Sequence, residues 1–206
     1  MKKLVVAIDG PAGAGKSTGA MYRAVAWKTL QAGKDVTDAL ILDVVRDIDV
    51  RLAYANGVTQ VFVDGQDITG EIRTPEVSHI VSQVAALGPV REKMVDLQRR
   101  MATEGGVLMD GRDIATHVLP DADVKIFLTA SIEERAQRRW KEMKEKGYDM
   151  SLEELQKDIA ARDKADSERE ISPLVQADDA TLLDTTGLSI DGVVARILAM
   201  CSEAGR

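Results

Sequence analysis

A chain of 206 residues, 45% hydrophobic and 30% charged, has the make-up of one globular domain. At that length folding buries roughly 70% of the unfolded surface without help from disulfides or metals. A net charge of −7 and an aromatic content of 3% exclude the basic, stacking-rich face of a nucleic-acid binder, so small-molecule partners are expected.

Cys201 is the single cysteine, which leaves no disulfide framework and no cysteine-based zinc site, and neither His79 nor His117 has a second ligand at metal spacing. Met1-Lys2-Lys3 precedes an apolar run, but the run is short and ends in Asp9 rather than at a small-residue cleavage site. No stretch approaches the length of a membrane span, and a cytoplasmic location is expected.

In chain order, Leu4-Val5-Val6-Ala7-Ile8 reads as a buried strand, and Gly10-Pro11-Ala12-Gly13-Ala14-Gly15-Lys16-Ser17 fills the G-x-x-x-x-G-K-[ST] pattern directly after it. Strand, glycine-rich turn and helix start are the context of a phosphate-binding loop, in which backbone N–H groups curl round a β-phosphate. Lys16 is placed to reach the β- and γ-phosphates, and the Ser17 hydroxyl to sit on Mg²⁺. The residues imply a nucleoside triphosphate as ligand.

Further on, Val50–Tyr54, the turn Asn56-Gly57 and Gln60–Val63 read as a β-hairpin. Thr74-Pro75 starts a helix with Val77, Ile80, Val81 and Val84 as its apolar stripe. Gly88-Pro89 breaks it, and Val90, Met94, Leu97 and Met101 line a second helix. Residues 36–104 therefore read as an α+β insertion. Gly106–Met109, Val124–Leu128 and Thr181–Leu183 are short apolar strands separated by helical patterns, so the core is an α/β parallel sheet with ligands expected at the strand ends. Asp110 closes one of these strands, where a carboxylate would meet the Mg²⁺ hydration shell, and the charges of Arg112 and Asp113 follow it.

Ser131 with Glu134, and Ser151 with Glu154, read as capping boxes for two polar helices that Gly147-Tyr148 separates. Arg135, Arg138 and Arg139 share a face on the first; Arg162, Asp166 and Arg169 recur at i, i+4 and i+7 on the second. Such faces fit an ion-paired solvated surface or a hinged phosphate clamp, and spacing alone leaves both open. The last helix, from Ile190, carries apolar residues at 190, 193, 194, 197, 198 and 201 and is expected to cover the core. Asp67-Ile68-Thr69-Gly70 fits the D-x-x-G of a GTPase switch, but Asn56 is the only asparagine, so no N-K-x-D guanine reader exists. The alternating charges of the surface helices give no dimer stripe, and a monomer is expected.

Taken in order, GPAGAGKST, GAMYRA, GEIRTPEV, SQVAALGPVRE, DGRDI and ARDKADSERE with SPL resemble the signature segments of bacterial cytidylate kinases over nearly the whole chain. The resemblance implies a P-loop nucleoside monophosphate kinase fold. In it a core (1–35, 105–130 and 177–206) carries a nucleotide-binding insertion (36–104) and a helical lid (131–176). It also implies transfer of the ATP γ-phosphoryl group to CMP or dCMP, with Mg²⁺ accompanying ATP; UMP, AMP or shikimate kinases are the related alternatives on the same scaffold.

Carried over residue by residue, the resemblance gives Gly10 to Thr18 to ATP and Arg23 to the CMP phosphate. Ser82 and Arg91 go to the cytosine O2/N3 edge and Asp113 to the cytosine amino group. Arg112, Arg162 and Arg169 go to the acceptor phosphate and the transferring group, and Asp166 to the sugar hydroxyl. Lys16, Arg112, Arg162 and Arg169 are the expected catalytic set. One departure stands out: the family places a helix remainder and a second core strand, about fifteen residues, between the GKST and TGAMYR segments. Here Ser17-Thr18-Gly19 fuses them. Because the rest of the chain keeps its core pattern, the favoured reading is that this stretch is omitted from the sequence rather than deleted; a true deletion would leave the P-loop strand short of a neighbour and the chain an inactive nucleotide-binding remnant.

Overall fold

The computed structural model describes residues 3–12, 18–33, 35–55, 58–145 and 147–205. It divides into two compact units, residues 1–16 with 101–206, and residues 17–100.

The first unit is built on a parallel sheet. Strand β1 (Val5–Asp9) pairs with β5 (Val107–Gly111) on one side and β6 (Val124–Thr129) on the other, and β7 (Thr181–Asp184) extends the sheet to the order β5-β1-β6-β7. Val6, Ala7 and Ile8 are buried because a central parallel strand is covered on both faces. The register sets Asp9 opposite Gly111 and Phe127, so the strand ends that carry polar residues are aligned. The loss of a neighbour that a true deletion would bring to the P-loop strand is therefore not seen. The long stretch between β1 and β5 supplies a crossover, and among the described residues β5 and β7 form the edges, with Leu108 and Leu182 half exposed.

A short π-helical turn, Ile114–Val118, follows β5, an element that the sequence analysis does not anticipate. Helices α5 (Ile132–Glu145) and α6 (Leu152–Glu168) pack together through Ala136, Leu155 and Ile159, backed by Trp140, Met150 and Leu152. Their connection turns at Gly147 (φ +80°), whose N–H donates to the Lys144 carbonyl while that of Tyr148 donates to the Met143 carbonyl; this pair of bonds closes a helix whose terminal residue must be left-handed.

The capping box at Ser151 is complete. That at Ser131 is half made: Ser131 Oγ accepts from the Glu134 N–H, but the Ser131 N–H donates to Thr186 Oγ1, and the Glu134 carboxylate instead accepts from Arg138. Helix α7 (Ile190–Ala204) covers the sheet with Val193, Ile197, Met200 and Cys201 only. Ile190, Val194 and Leu198, expected in the same buried stripe, form the neighbouring row and stay exposed, because the six apolar positions span two adjacent rows of the helix surface and only one row packs on the sheet.

The second unit packs α1 (Gly19–Ala32), α2 (Asp38–Asp47), α3 (Pro75–Ala86) and the start of α4 (Gly88–Ala102) with a three-stranded antiparallel sheet, β2 (Val50–Ala55), β3 (Val58–Val63) and β4 (Gln66–Asp67). Met21 and Val25 of α1 are buried with Ile41, Val61, Ile72, Val84 and Met94 in one apolar cluster, so α1 lies in the packing of this unit. The β2–β3 pairing is as expected, although Asn56-Gly57 lies outside the described residues.

Two elements of this unit were missed. Helix α2 starts at Thr37, whose side chain accepts from the Leu40 N–H, and buries Ile41 and Val45. The β3–β4 hairpin turns on Asp64 (φ +50°) and Gly65 (φ +83°), the left-handed pair that matches the twist of the flanking strands. Among the described residues no helix is long and apolar enough to cross a membrane.

Candidate functional site

At the carboxyl end of the first unit's sheet, β1 delivers Asp9 and then Gly10, Pro11 and Ala12; Gly13, Ala14, Gly15, Lys16 and Ser17 lie outside the described residues. Asp9 is 2% exposed and accepts from the N–H groups of Ile114 (2.7 Å) and Ala115 (2.8 Å), so it caps the turn after β5 from another part of the chain. Burial pushes its carboxyl up to about 6, against the two N–H donors and the Arg112 charge that favour the ion, with Asp113 adding repulsion.

A raised carboxyl binds its proton more tightly folded than unfolded, so stability falls as pH rises from about 4 through 6. The ionisation costs about 3 kcal/mol at neutral pH. Asp9→Asn has no proton to lose. Its stability relative to the parent should therefore improve by up to about 3 kcal/mol between pH 4 and pH 7 in urea titrations. A difference that is flat with pH would contradict the raised value.

Beyond Asp9, four charged side chains from two segments meet. Arg112 Nε donates to Asp166 Oδ2 at 2.8 Å, Arg169 Nη1 lies 3.9 Å from Asp166 Oδ1, and Arg169 Nη2 lies 3.6 Å from Asp113 Oδ1. Asp113, Asp166 and Arg169 have side chains no more than 7% exposed. Arg169 sits at the C-cap of α6 in an extended conformation rather than on the helical face that the i, i+7 spacing suggested, and its Nε donates to the Ser172 carbonyl at 2.6 Å. The break at the cap swings the guanidinium back onto Asp166, while the Leu174 N–H returns to the Asp166 carbonyl at 2.8 Å.

Arg162 joins them electrostatically. Burial first, and then the Arg112 charge, pull its guanidinium down to about 10, with Asp166 acting against them. Its Nε is shielded from solvent with no hydrogen-bond acceptor among the described residues. Arg112, Arg162 and Arg169 thus bring three guanidiniums together around Asp113 and Asp166, a donor-rich arrangement that suits an anionic ligand. Asp110 lies inside β5, paired in register with Ile8, and is partly buried.

The first arginine face behaves differently. Arg135 is buried, donating from Nε to the Ala130 carbonyl and from Nη1 to the Ala12 carbonyl and to Asp163 Oδ2. Arg138 bonds Glu134 and Thr185, and Arg139 bonds Glu142. These three arginines are thus engaged within the protein, nearer to the ion-paired of the two readings.

In the second unit, Thr18 is buried just before α1 and its carbonyl accepts from the Met21 N–H. Arg23 of α1 donates from Nη1 to the Ile72 carbonyl (3.1 Å) and to Ser78 Oγ (2.9 Å), at the Thr74-capped start of α3. Ser82 is half-buried on α3. Arg91 of α4 is 3% exposed, stacks 5.4 Å over the Tyr22 ring and donates from Nη1 to the Ala85 carbonyl at 3.1 Å.

Asp9 and Asp163 escaped the sequence reading. A charged residue ending an apolar strand just before Gly10 was the available signal for Asp9; Asp163 falls outside the i, i+4, i+7 set of Arg162, Asp166 and Arg169, and only packing reveals its partners. Among the described residues no three His, Cys, Asp or Glu side chains are grouped to hold a metal ion.

A profile of the cytidylate kinase family matches residues 6–203. This chain belongs to the cytidylate kinase family. A protein named cytidylate kinase from Desulfitobacterium hafniense (strain Y51) is 51% identical over 219 aligned positions, taking in 98% of this chain and 94% of that protein. Another of the same name from Bacillus cereus (strain ATCC 10987 / NRS 248) is 49% identical over 218 positions, with 98% and 97% covered. An alignment of 219 positions exceeds the 206 residues of this chain, so the family member from D. hafniense carries residues that face gaps here. A solved structure, an uncharacterized protein from Eubacterium ventriosum ATCC 27560, superposes with a TM-score of 0.50 over 98% of this chain and 99% of its own; at 14% identity it speaks for the fold alone.

Proposed function

We propose that the chain transfers the γ-phosphoryl group of MgATP to CMP or dCMP, giving CDP or dCDP. Membership of the cytidylate kinase family supports this reading, and the observation that carries it is the cluster of Arg112, Arg162 and Arg169, in which the shielded Arg162 Nε has no acceptor among the described residues. Phosphoryl transfer builds charge on equatorial oxygens in the transition state, and fixed guanidiniums at low dielectric stabilise it without reorganising. The acceptor is itself a phosphate with a second pKa of about 6, so no general base is required and catalysis reduces to alignment and charge neutralisation.

In this reading Gly10 to Thr18 bind ATP, Lys16 neutralises the phosphates, and Mg²⁺ arrives as part of the donor substrate with Ser17, and Asp110 through water, as its protein contacts. On the acceptor side, Arg23 binds the CMP phosphate, Ser82 and Arg91 the cytosine O2/N3 edge, and Asp113 the amino group. Asp166 holds the sugar hydroxyl, and Arg112, Arg162 and Arg169 gather the acceptor phosphate and the transferring group. Residues 131–176 act as the lid that excludes water, residues 36–104 carry the acceptor, and the remainder is the core. A cytoplasmic monomer fits this reading.

The test is ADP release with MgATP against a panel of CMP, dCMP, UMP and AMP. Turnover with CMP and dCMP at least about 100-fold above UMP and AMP is expected. Preference for UMP or AMP would make the chain a different nucleotide kinase. Silence with every acceptor would mark a chain that has lost the reaction together with the residues that its relatives carry opposite its gaps.

A further inference from the structure

We propose that Asp163 is a positioning residue for the nucleotide-binding loop, acting with Arg135 to clamp Ala12. The inference rests on the reading of that loop as the ATP site, and it concerns a residue to which that reading gives no role. Asp163 Oδ1 accepts from the Ala12 N–H at 2.9 Å, and Asp163 Oδ2 accepts from Arg135 Nη1 at 2.7 Å. The same Nη1 donates to the Ala12 carbonyl at 3.1 Å. Both polar groups of one backbone residue are thus held by a carboxylate and a guanidinium that also hold each other.

Ala12 is 4% exposed and the Arg135 side chain 5%, so these bonds are sheltered from competing water. A phosphate-binding loop works through the direction of its N–H groups, and the peptide at its head sets where they point. Glycines leave that direction undetermined, whereas two charged side chains on packed helices fix it.

The anchor is rigid. Asp163 lies one turn beyond Ile159, and Ile159, Leu155 and Ala136 form the apolar contact between α6 and α5. Arg135 is further tied to the Ala130 carbonyl at 3.0 Å. Asp163 is also the next residue after Arg162, so one peptide of α6 carries both the clamp on Ala12 and an arginine of the charge cluster. Fixing Asp163 on Ala12 sets the register of Arg162, so Ala12 and the cluster are held by one helix segment.

The experiment compares Asp163→Ala and Asp163→Asn with the parent chain by amide hydrogen exchange without nucleotide and by steady-state kinetics with MgATP and CMP. In Asp163→Ala, exchange at the Ala12 amide is expected to rise at least about tenfold while the amides of Val6 to Ile8 keep their protection. KM for MgATP should rise and kcat fall, each by about tenfold, with KM for CMP changed less than about twofold. Asp163→Asn keeps an acceptor for the Ala12 N–H but loses the charge that holds Arg135, and should fall between.

Unchanged Ala12 exchange would overturn the proposal, as would KM values for both substrates rising in step with a lowered melting temperature, which is the mark of a merely structural residue. If the parent chain turns over no acceptor, the functional reading fails on its own, and the exchange at Ala12 still decides the clamp.

Discussion

Asp166→Ala should lower folding stability by about 3–5 kcal/mol and reduce kcat/KM for CMP by at least about 100-fold. The carboxylate is 7% exposed, bonds Arg112 at 2.8 Å and lies 3.9 Å from Arg169. Removing it leaves the two guanidiniums mutually repelling at low dielectric, with the partly buried Arg162 as a third cation nearby. The loss is asymmetric: making such a pair gains little over an apolar substitute, but breaking one strands a charge. Asp166→Asn keeps the volume and an acceptor oxygen, so it should lose less stability yet still misplace the arginines. Urea titration checks the first figure and initial rates with saturating MgATP the second. A variant within about 1 kcal/mol of the parent would mean that the bridge is solvent-screened and that the cluster does not behave as a buried unit.

The second large effect concerns the choice of base. In the proposed function Asp113 accepts from the cytosine amino group, where uracil presents an oxygen that a carboxylate repels. Asp113→Asn can offer an N–H to that oxygen, so the ratio of kcat/KM for CMP over UMP should fall by at least about 100-fold, or ~2.7 kcal/mol. The side chain is 6% exposed and lies 3.6 Å from Arg169 Nη2, so some activity with every acceptor will be lost as well; the ratio, and not the rate, is the measure. Equal losses with CMP and UMP would reduce Asp113 to an arginine-holding residue and remove it from base recognition.

Much of the architecture was legible because it rests on local chemistry. Apolar runs ending in polar residues marked β1, β5, β6 and β7, and each is present. Thr74-Pro75 marked the start of α3, and Ser151 with Glu154 that of α6, because capping groups act within one turn of the residues they serve. The Asp64-Gly65 hairpin was equally local and was overlooked for the D-x-x-G pattern beside it. Where local rules failed, a distant group had intervened: Thr186 took the Ser131 N–H that a capping box reserves for Glu134. At Arg169 the helix stopped one residue short of the periodicity, and the cap put the guanidinium back on Asp166.

By itself the sequence determined the α/β class, the loop that starts at Gly10, the family, and the residue types available for anionic ligands, since each depends on neighbours in the chain or on an ordered set of short motifs. Only the tertiary structure decided how those charges are shared. It buried Asp9 and raised its carboxyl, drew Arg135 and Asp163 onto Ala12, and left Arg162 with a shielded nitrogen that has no acceptor among the described residues. The physical reason is that the energy of a charge depends on its burial and its partners, and these are set by contacts between segments far apart in the chain.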